Sequence, residues 1–363
     1  MGVSFFNNLP GIILSFLIAL LGIFFSDYLG TEIMGFDKSP ISSIMLAIII
    51  GLLVGNIFSI SENFKLGIDF SIKKILRFGI ICLGIRLGLG DIINLGLAAL
   101  PLIIICLVSA LLIVIYLSKK INVSSKMAAL IAVGTSICGA SAIVATAPAI
   151  NADKEEVTYA IANITLFGIL AMFFYPFLAN FIFNGNEYAV GLFLGTSIHE
   201  TAQVAGAGLI YAEQFNSPEV LDIAAVTKLV RNTSMMIIIP LIAFIYHRNL
   251  KTTESVSNLS ILSMFPLFIL GFITMGIFRT IGDITLQSSG YSFGLLGSND
   301  WAYIISTVKQ VAEISLAIAM ASLGLSTNLK SIASLGVKPF YLGFVAATSV
   351  GIVSFMAIKL IVI

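Results

Sequence analysis

The chain has 363 residues, of which 58% are hydrophobic and 10% charged, with a formal net charge of +1 and a mean hydropathy of +1.08. Soluble domains carry about 25% charged residues, and a surface this apolar would aggregate in water. The composition therefore excludes a cytosolic enzyme, a secreted disulfide scaffold and a disordered regulator, and the charge balance leaves no basic footprint for nucleic acid.

The chain reads as an all-α polytopic membrane protein. Residues 1–9 carry no Lys or Arg and no small-residue cleavage site follows the first apolar run, so that run is expected to stay in the mature protein. Phe6 breaks the myristoylation pattern. Cys82, Cys106 and Cys138 lie in apolar runs without CxxC spacing and read as small hydrophobes. A bilayer core of about 30 Å needs about 20 apolar residues per helix. Runs of that kind fall at Pro10–Gly30, Pro40–Ile60, Lys74–Gly90, Gly96–Ser118, Ser125–Ile150, Glu156–Phe183, Tyr188–Ala212, Pro218–His247, Ser260–Ile281, Asp300–Leu325 and Lys338–Ile363. The spacing predicts about eleven hydrophobic segments with short links, forming a single transmembrane domain over 1–363.

Lys and Arg set the orientation. The links at 61–77, 119–126, 248–251 and 330–338 hold Lys65, Lys73, Lys74, Arg77, Lys119, Lys120, Lys126, Arg248, Lys251, Lys330 and Lys338. The opposite side holds only Lys38, Lys154, Arg279 and Lys359. This predicts a cytoplasmic N-terminus and an external C-terminus.

Two internal echoes stand out. Gly134-Thr135-Ser136-Ile137 matches Gly195-Thr196-Ser197-Ile198, and the match extends to Ala142–Ala145 against Ala202–Ala205. Leu87-Gly88-Leu89 matches Leu323-Gly324-Leu325; each is followed by a polar stop (Asp91, Asn328) and then by Gly and Pro (Gly96 and Pro101, Gly336 and Pro339). The second echo falls on spans of opposite direction, as in inverted-repeat transporters, with possible repeats at about 40–150 and 188–363. Whether 125–150 and 188–212 cross fully, or re-enter as two broken hairpins from opposite faces, is left open by the charge count.

Gly, Thr and Ser are poor helix formers and good caps. The helix is therefore expected to break at Gly134–Ser136 and Gly195–Ser197, with a new arm starting at each break. The free N–H groups and positive end of such an arm suit an anion, whereas small residues also serve close helix packing. His199, Glu200 and Gln203 follow the second break. Ser197-Ile198-His199-Glu200 fits a capping box, so Glu200 reads either as a cap or as a proton or cation site, titratable groups in the membrane being functional by default. Lys228, Arg231 and Asn232 share one helical face, where each charge costs roughly 2.5–3.5 kcal/mol to insert. They read either as counter-ions of Glu200 or as the lining of an anion path. Arg86 is placed to snorkel, Lys309 and Glu313 to neutralise each other, and Asp91 to stop a span. The deep charges are Arg86, Lys228, Arg231 and Lys309 against Glu200 and Glu313, a positive surplus that favours an anionic substrate.

Thr135–Ile143 (TSICGASAI), Gly195–Gly206 (GTSIHETAQVAG) and Lys228–Asn232 (KLVRN) together resemble the YeiH-type family of bacterial inner-membrane proteins, labelled sulfate exporters, over essentially the whole chain. The first half, with Leu87–Leu89 followed by Gly134–Ser141, is also similar to the bile-acid/sodium symporter architecture of crossed broken helices, in which a transport domain moves against a scaffold. The chain departs from it by ending one span after Leu325. The resemblance implies an elevator-like secondary transporter and a homodimer. The expected substrate is a small anion: sulfate, sulfite, a related oxyanion or an organic sulfonate. Its expected contacts are Thr135, Ser136, Gly139, Ser141, Thr196, Ser197, His199, Gln203, Lys228, Arg231 and Asn232. His199, Glu200 and Glu313 are the expected carriers of a coupling H+ or Na+. The alternative is a cation/proton antiporter with Glu200 and Glu313 as ion ligands. No Gly-x-Ser-x-Gly elbow, metal-binding His pair or carboxylate dyad points to an enzyme, and no cofactor is expected.

Overall fold

The computed structural model describes residues 7–35, 39, 41–250, 265–329 and 337–363, with the side chains of 247–250 excepted. Lys38, Pro40, Lys251, Ser260, Lys330 and Gly336, and the side chains of His247 and Arg248, lie outside the described residues. Among those described, the helices in chain order are α1 (Leu9–Asp27), α2 (Ser43–Ile57), α3 (Glu62–Phe70), α4 (Leu76–Leu83), α5 (Leu89–Lys120), α6 (Ser125–Ser136), α7 (Ala140–Thr146), α8 (Lys154–Ile182), α9 (Glu187–Ser197), α10 (Thr201–Phe215), α11 (Glu219–Thr233), α12 (Met235–Leu250), α13 (Phe268–Ser289), α14 (Ser298–Ser326) and α15 (Val337–Ile361). Local chemistry sets their limits. Ser42, Ser124 and Asn186 cap α2, α6 and α9 by accepting from main-chain N–H groups of the first turn. Asp153 and Glu156 form a capping box at the start of α8. Asp91 does more than stop a span: its Oδ2 accepts from the Gly88 N–H (3.1 Å) at the start of α5.

Among the described residues, seven helical stretches are long and apolar enough to cross a membrane: Leu9–Ile33, Leu89–Lys120, Lys154–Ile182, Glu219–Tyr246, Phe268–Ser289, Ser298–Ser326 and Val337–Ile361. This is fewer than the eleven expected segments, for three physical reasons. The run Pro40–Ile60 yields only the 15-residue α2. The run Lys74–Gly90 is cut by a turn at Gly84–Arg86. The runs 125–150 and 188–212 are each divided into two short helices.

The chain divides into two units. The first comprises Met1–Leu95, Leu209–Pro218 and Leu267–Leu329. In it α14 packs along α2 and α4, and α1 along α2 and α3. Gly51 and Gly55 let α2 sit on the main chain of Ala321 and Leu325, and Gly324 backs onto Ile48, the small-residue contact common between membrane helices. Gly324 belongs to the second Leu-Gly-Leu, whereas Leu87–Leu89 lies at a helix break. The two glycines therefore have different neighbours. Arg86 is paired: its Nη1 lies 3.4 Å from Glu313 Oε1, and its Nη2 donates to the Pro218 carbonyl (3.2 Å). Glu313 thus has a long-range partner in addition to any local one.

The second unit comprises Gly96–Gly208, Glu219–Pro266 and Lys330–Ile363 and holds the first divided segment and the second as far as Gly208. Segment 125–150 leaves beside its starting point: the Ser124 hydroxyl donates to Glu156 Oε1 (2.6 Å), and Lys126 Nζ lies 3.8 Å from Asp153 Oδ2. It is a helical hairpin with its tip at Ile137–Gly139. The second segment folds back in the same way. Along α9, Gly191 meets Val220 and Ile223, and Gly195 meets Ala224 and Thr227. After the tip at Ile198–Glu200, the Asn232 amide donates to Thr201 (3.0 Å) and Gly208 meets Leu221, so the chain has returned to the start of α11. The first hairpin instead packs on α12, whose Met235, Ile238, Ile239 and Ile242 share its apolar core. The two hairpins therefore flank opposite halves of the span Glu219–Tyr246, and their tips meet near its middle.

Single cysteines at the exposed positions Ser125 and Lys154 are expected to react with a membrane-impermeant maleimide from the same side. Labelling from opposite sides would show that 125–150 crosses.

Candidate functional site

Where a helix stops, its last carbonyls lack amide partners, and in an apolar interior each such group costs several kcal/mol. α6 and α9 stop at Ser136 and Ser197, both buried. Lys228 and Arg231 of α11, each 0% exposed, meet the carbonyls left there. Lys228 Nζ donates to the carbonyls of Ile137 (2.9 Å), Ile198 (3.0 Å) and His199. Arg231 donates through Nε to Ser136 (2.8 Å), through Nη1 to Thr196 (2.7 Å) and Ile198 (3.0 Å), and through Nη2 to Thr135. The two copies of the Gly-Thr-Ser-Ile echo are met at matching positions. Lys228 takes Ile137 and Ile198; Arg231 takes Thr135 and Thr196. Cations also complement the negative ends of helices, each equivalent to about half a charge.

This corrects the expected polarity. Ser136 and Ser197 end helices rather than begin arms, and the returning arms start at Ala140 and Thr201. Ser197 does not open a capping box: its hydroxyl donates back to the Phe193 carbonyl (2.5 Å). Ser136 likewise donates to Val133 (3.3 Å). Nor is Glu200 the hydrogen-bond partner that holds the two cations in place.

Glu200 instead ties the tips together. Its Oε1 accepts from the Ala140 N–H (3.1 Å) at the start of α7. Gly139, at φ +70°, precedes α7, and a Cβ there would collide with the Glu200 side chain. Only glycine supplies both that backbone conformation and that approach. Glu200 also caps α10, since its carbonyl accepts from the Val204 N–H (2.9 Å) and its N–H donates to Gln203 Oε1 (3.2 Å). This is the return half of a capping box, with Gln as its third helical residue. Gln203 Nε2 donates onward to the Thr165 carbonyl (3.3 Å).

Unused hydrogen-bonding capacity gathers in the same place. Thr135 Oγ1, both ring nitrogens of His199, Thr227 Oγ1 and Asn232 Oδ1 are buried without a partner of bonding geometry. His199 is 1% exposed and its ring sits against the Thr135 main chain. Buried polar atoms are nearly always paired, so this cluster makes the two tips the candidate site. Thr135, Ser136, Gly139, Thr196, Ser197, His199, Glu200, Gln203, Lys228, Arg231 and Asn232 all lie at or beside the two tips. Ser141 is exposed on α7, and Glu313 belongs to the other unit. Thr227 and Ser354 went unnoticed in the sequence; the latter shares a 2.7 Å hydrogen bond with the Thr196 hydroxyl. The signal for Ser354 is a lone hydroxyl on an otherwise apolar helix face, and that for Thr227 is its place one turn before Arg231. Among the described residues no group of three or more His, Cys, Asp or Glu is placed to hold a metal.

The family model described as conserved hypothetical protein 698 matches residues 10–343, and the chain belongs to that family. It is similar to UPF0324 membrane proteins of Fusobacterium nucleatum (35% identical, 96% of each chain), Streptococcus agalactiae (34%, 96% of each) and Pasteurella multocida (32%, 84% of each). No solved structure matches it. With its apolar helices, these relatives make it a multi-pass membrane protein of a YeiH-like membrane family.

Gly139→Ala is expected to cost about 1–3 kcal/mol, read as a lower unfolding midpoint in detergent. Arg231→Lys is expected to cost more, because one ammonium cannot reach four carbonyls and each abandoned one costs about 1–3 kcal/mol. Midpoints equal to wild type would contradict the tip geometry.

Proposed function

We propose that this member of the conserved hypothetical protein 698 family is a secondary active transporter of a small anion, such as sulfate, sulfite, a related oxyanion or an organic sulfonate. The observation that carries the reading is an uncompensated positive charge beside unused hydrogen-bond donors. At the two tips, two helix C-termini (about −0.5 each) and two N-termini (about +0.5 each) cancel. The formal charges are then +2 from Lys228 and Arg231 and −1 from Glu200, which leaves +1 with His199 neutral. A buried surplus charge is costly. A monovalent anion relieves it, and the Thr135 and Thr227 hydroxyls and one N–H of His199 are donors for it.

Protonating Glu200 raises the surplus to two, so anion and proton are expected to travel together. Lys228 and Cys138 are the other titratable groups that act on Glu200. Hairpins flanking opposite halves of one span suit alternating exposure of a shared site in an inverted-repeat transporter. We place the protein in the bacterial cytoplasmic membrane as an elevator-like homodimer, with its N-terminus cytoplasmic and its C-terminus external. A second reading, cation/proton exchange, rests on the Glu200 carboxylate at the paired tips as proton carrier.

Purified protein in proteoliposomes is expected to accumulate radiolabelled sulfate or sulfite faster under an inward proton gradient. Glu200→Gln is expected to keep uptake but lose its response to the gradient. Wild-type affinity is expected to fall as pH rises and Glu200 ionises, about tenfold for each 1.4 kcal/mol of lost attraction. Collapse of a pH gradient by sodium or potassium without anion flux would favour exchange. No flux of any tested ion would remove both readings.

A further inference from the structure

Lys228 and Arg231 are held in different ways. The guanidinium of Arg231 is a planar fork spread over four carbonyls, a shape no spherical ion copies. Lys228 Nζ is a point charge enclosed by three main-chain oxygens, those of Ile137, Ile198 and His199, which come from both hairpin tips. Three acceptors match the three N–H groups of an ammonium. A neutral amine would turn its lone pair towards one of the oxygens, so the geometry is that of a bound cation. Backbone carbonyl rings of this kind replace the hydration shell of monovalent ions. Two of the three oxygens occupy equivalent positions in the repeated Gly-Thr-Ser-Ile motif, so the cage is made by the pairing of the tips.

We infer that the carbonyls of Ile137, Ile198 and His199 form a monovalent-cation site permanently filled by the tethered ammonium of Lys228, so that the protein takes neither sodium nor potassium as a coupling ion. The exclusion of sodium and potassium as coupling ions rests on the transporter reading; the cage itself does not.

Two measurements test it without any flux. Purified Lys228→Ala, compared in ammonium, methylammonium, potassium and N-methylglucamine chlorides at equal ionic strength, is expected to show a saturable rise in unfolding midpoint with the small cations only. Wild type and Lys228→Met, whose side chain fills the same space with apolar atoms, are expected to show none. A Lys228→Ala midpoint that is the same in every salt overturns the inference; recovery of folded Lys228→Ala only in the presence of a small cation supports it. The second measurement needs no variant, and it decides the matter if Lys228→Ala folds in no salt. Wild-type protein is expected to bind no radiolabelled sodium or rubidium in a scintillation proximity assay, and saturable binding overturns the inference. Absence of anion flux in proteoliposomes would remove the transport reading while leaving both results standing.

Discussion

A helix that ends inside an apolar interior leaves main-chain oxygens that no apolar neighbour satisfies, and everything at the centre of the second unit follows from how those oxygens are met. Two hairpins stop there, and two cations from α11 meet them with seven hydrogen bonds. Each side solves the other's problem. The buried charges need acceptors, and the frayed helix ends need donors. Main-chain oxygens do this without adding opposing formal charge, so the positive character of the site survives its own stabilisation.

Close approach of the backbones makes this possible. Gly191 and Gly195 bring α9 against α11, and Gly208 brings α10 against it, so the second tip is pressed onto the face that carries the cations. The first tip is fixed by a different contact, the Glu200 carboxylate at the Ala140 N–H across Gly139. Behind Glu200, Gln203 is seated where Gly168 leaves room for its amide. A chain of polar contacts therefore runs from α8 through Gln203 and Glu200 to α7. It crosses from one hairpin to the other at the place where a single titratable group holds the link.

The sequence makes some of this legible and hides the rest for definable reasons. The interruptions are readable because Gly-Thr-Ser recurs in mid-run, and the shared face of Lys228, Arg231 and Asn232 follows from their spacing. The polarity of the breaks is not readable: Ser and Thr cap a following helix, but they also bond back to a preceding turn, as Ser197 does to Phe193. The acceptors are invisible because a carbonyl is common to every residue type. Counting basic residues cannot tell crossing from re-entry, since a hairpin pair leaves the remaining spans in the same directions. The pairing of Glu313 with Arg86 is non-local, whereas spacing suggests only the neighbouring Lys309. Leu-Gly-Leu is too short to specify an environment, and Gly324 is used for helix contact where Gly88 is not.

The Ile198 carbonyl accepts from both Lys228 and Arg231. Both lone pairs of one oxygen are thereby committed, and neither cation can shift without disturbing the other's bonding. The two tips and the central stretch of α11 consequently behave as one welded cassette. The cassette ends at Ser234, the single residue between α11 and α12, whose hydroxyl donates to the Arg231 carbonyl (2.6 Å) and so joins the helix break to the cation that holds the tips.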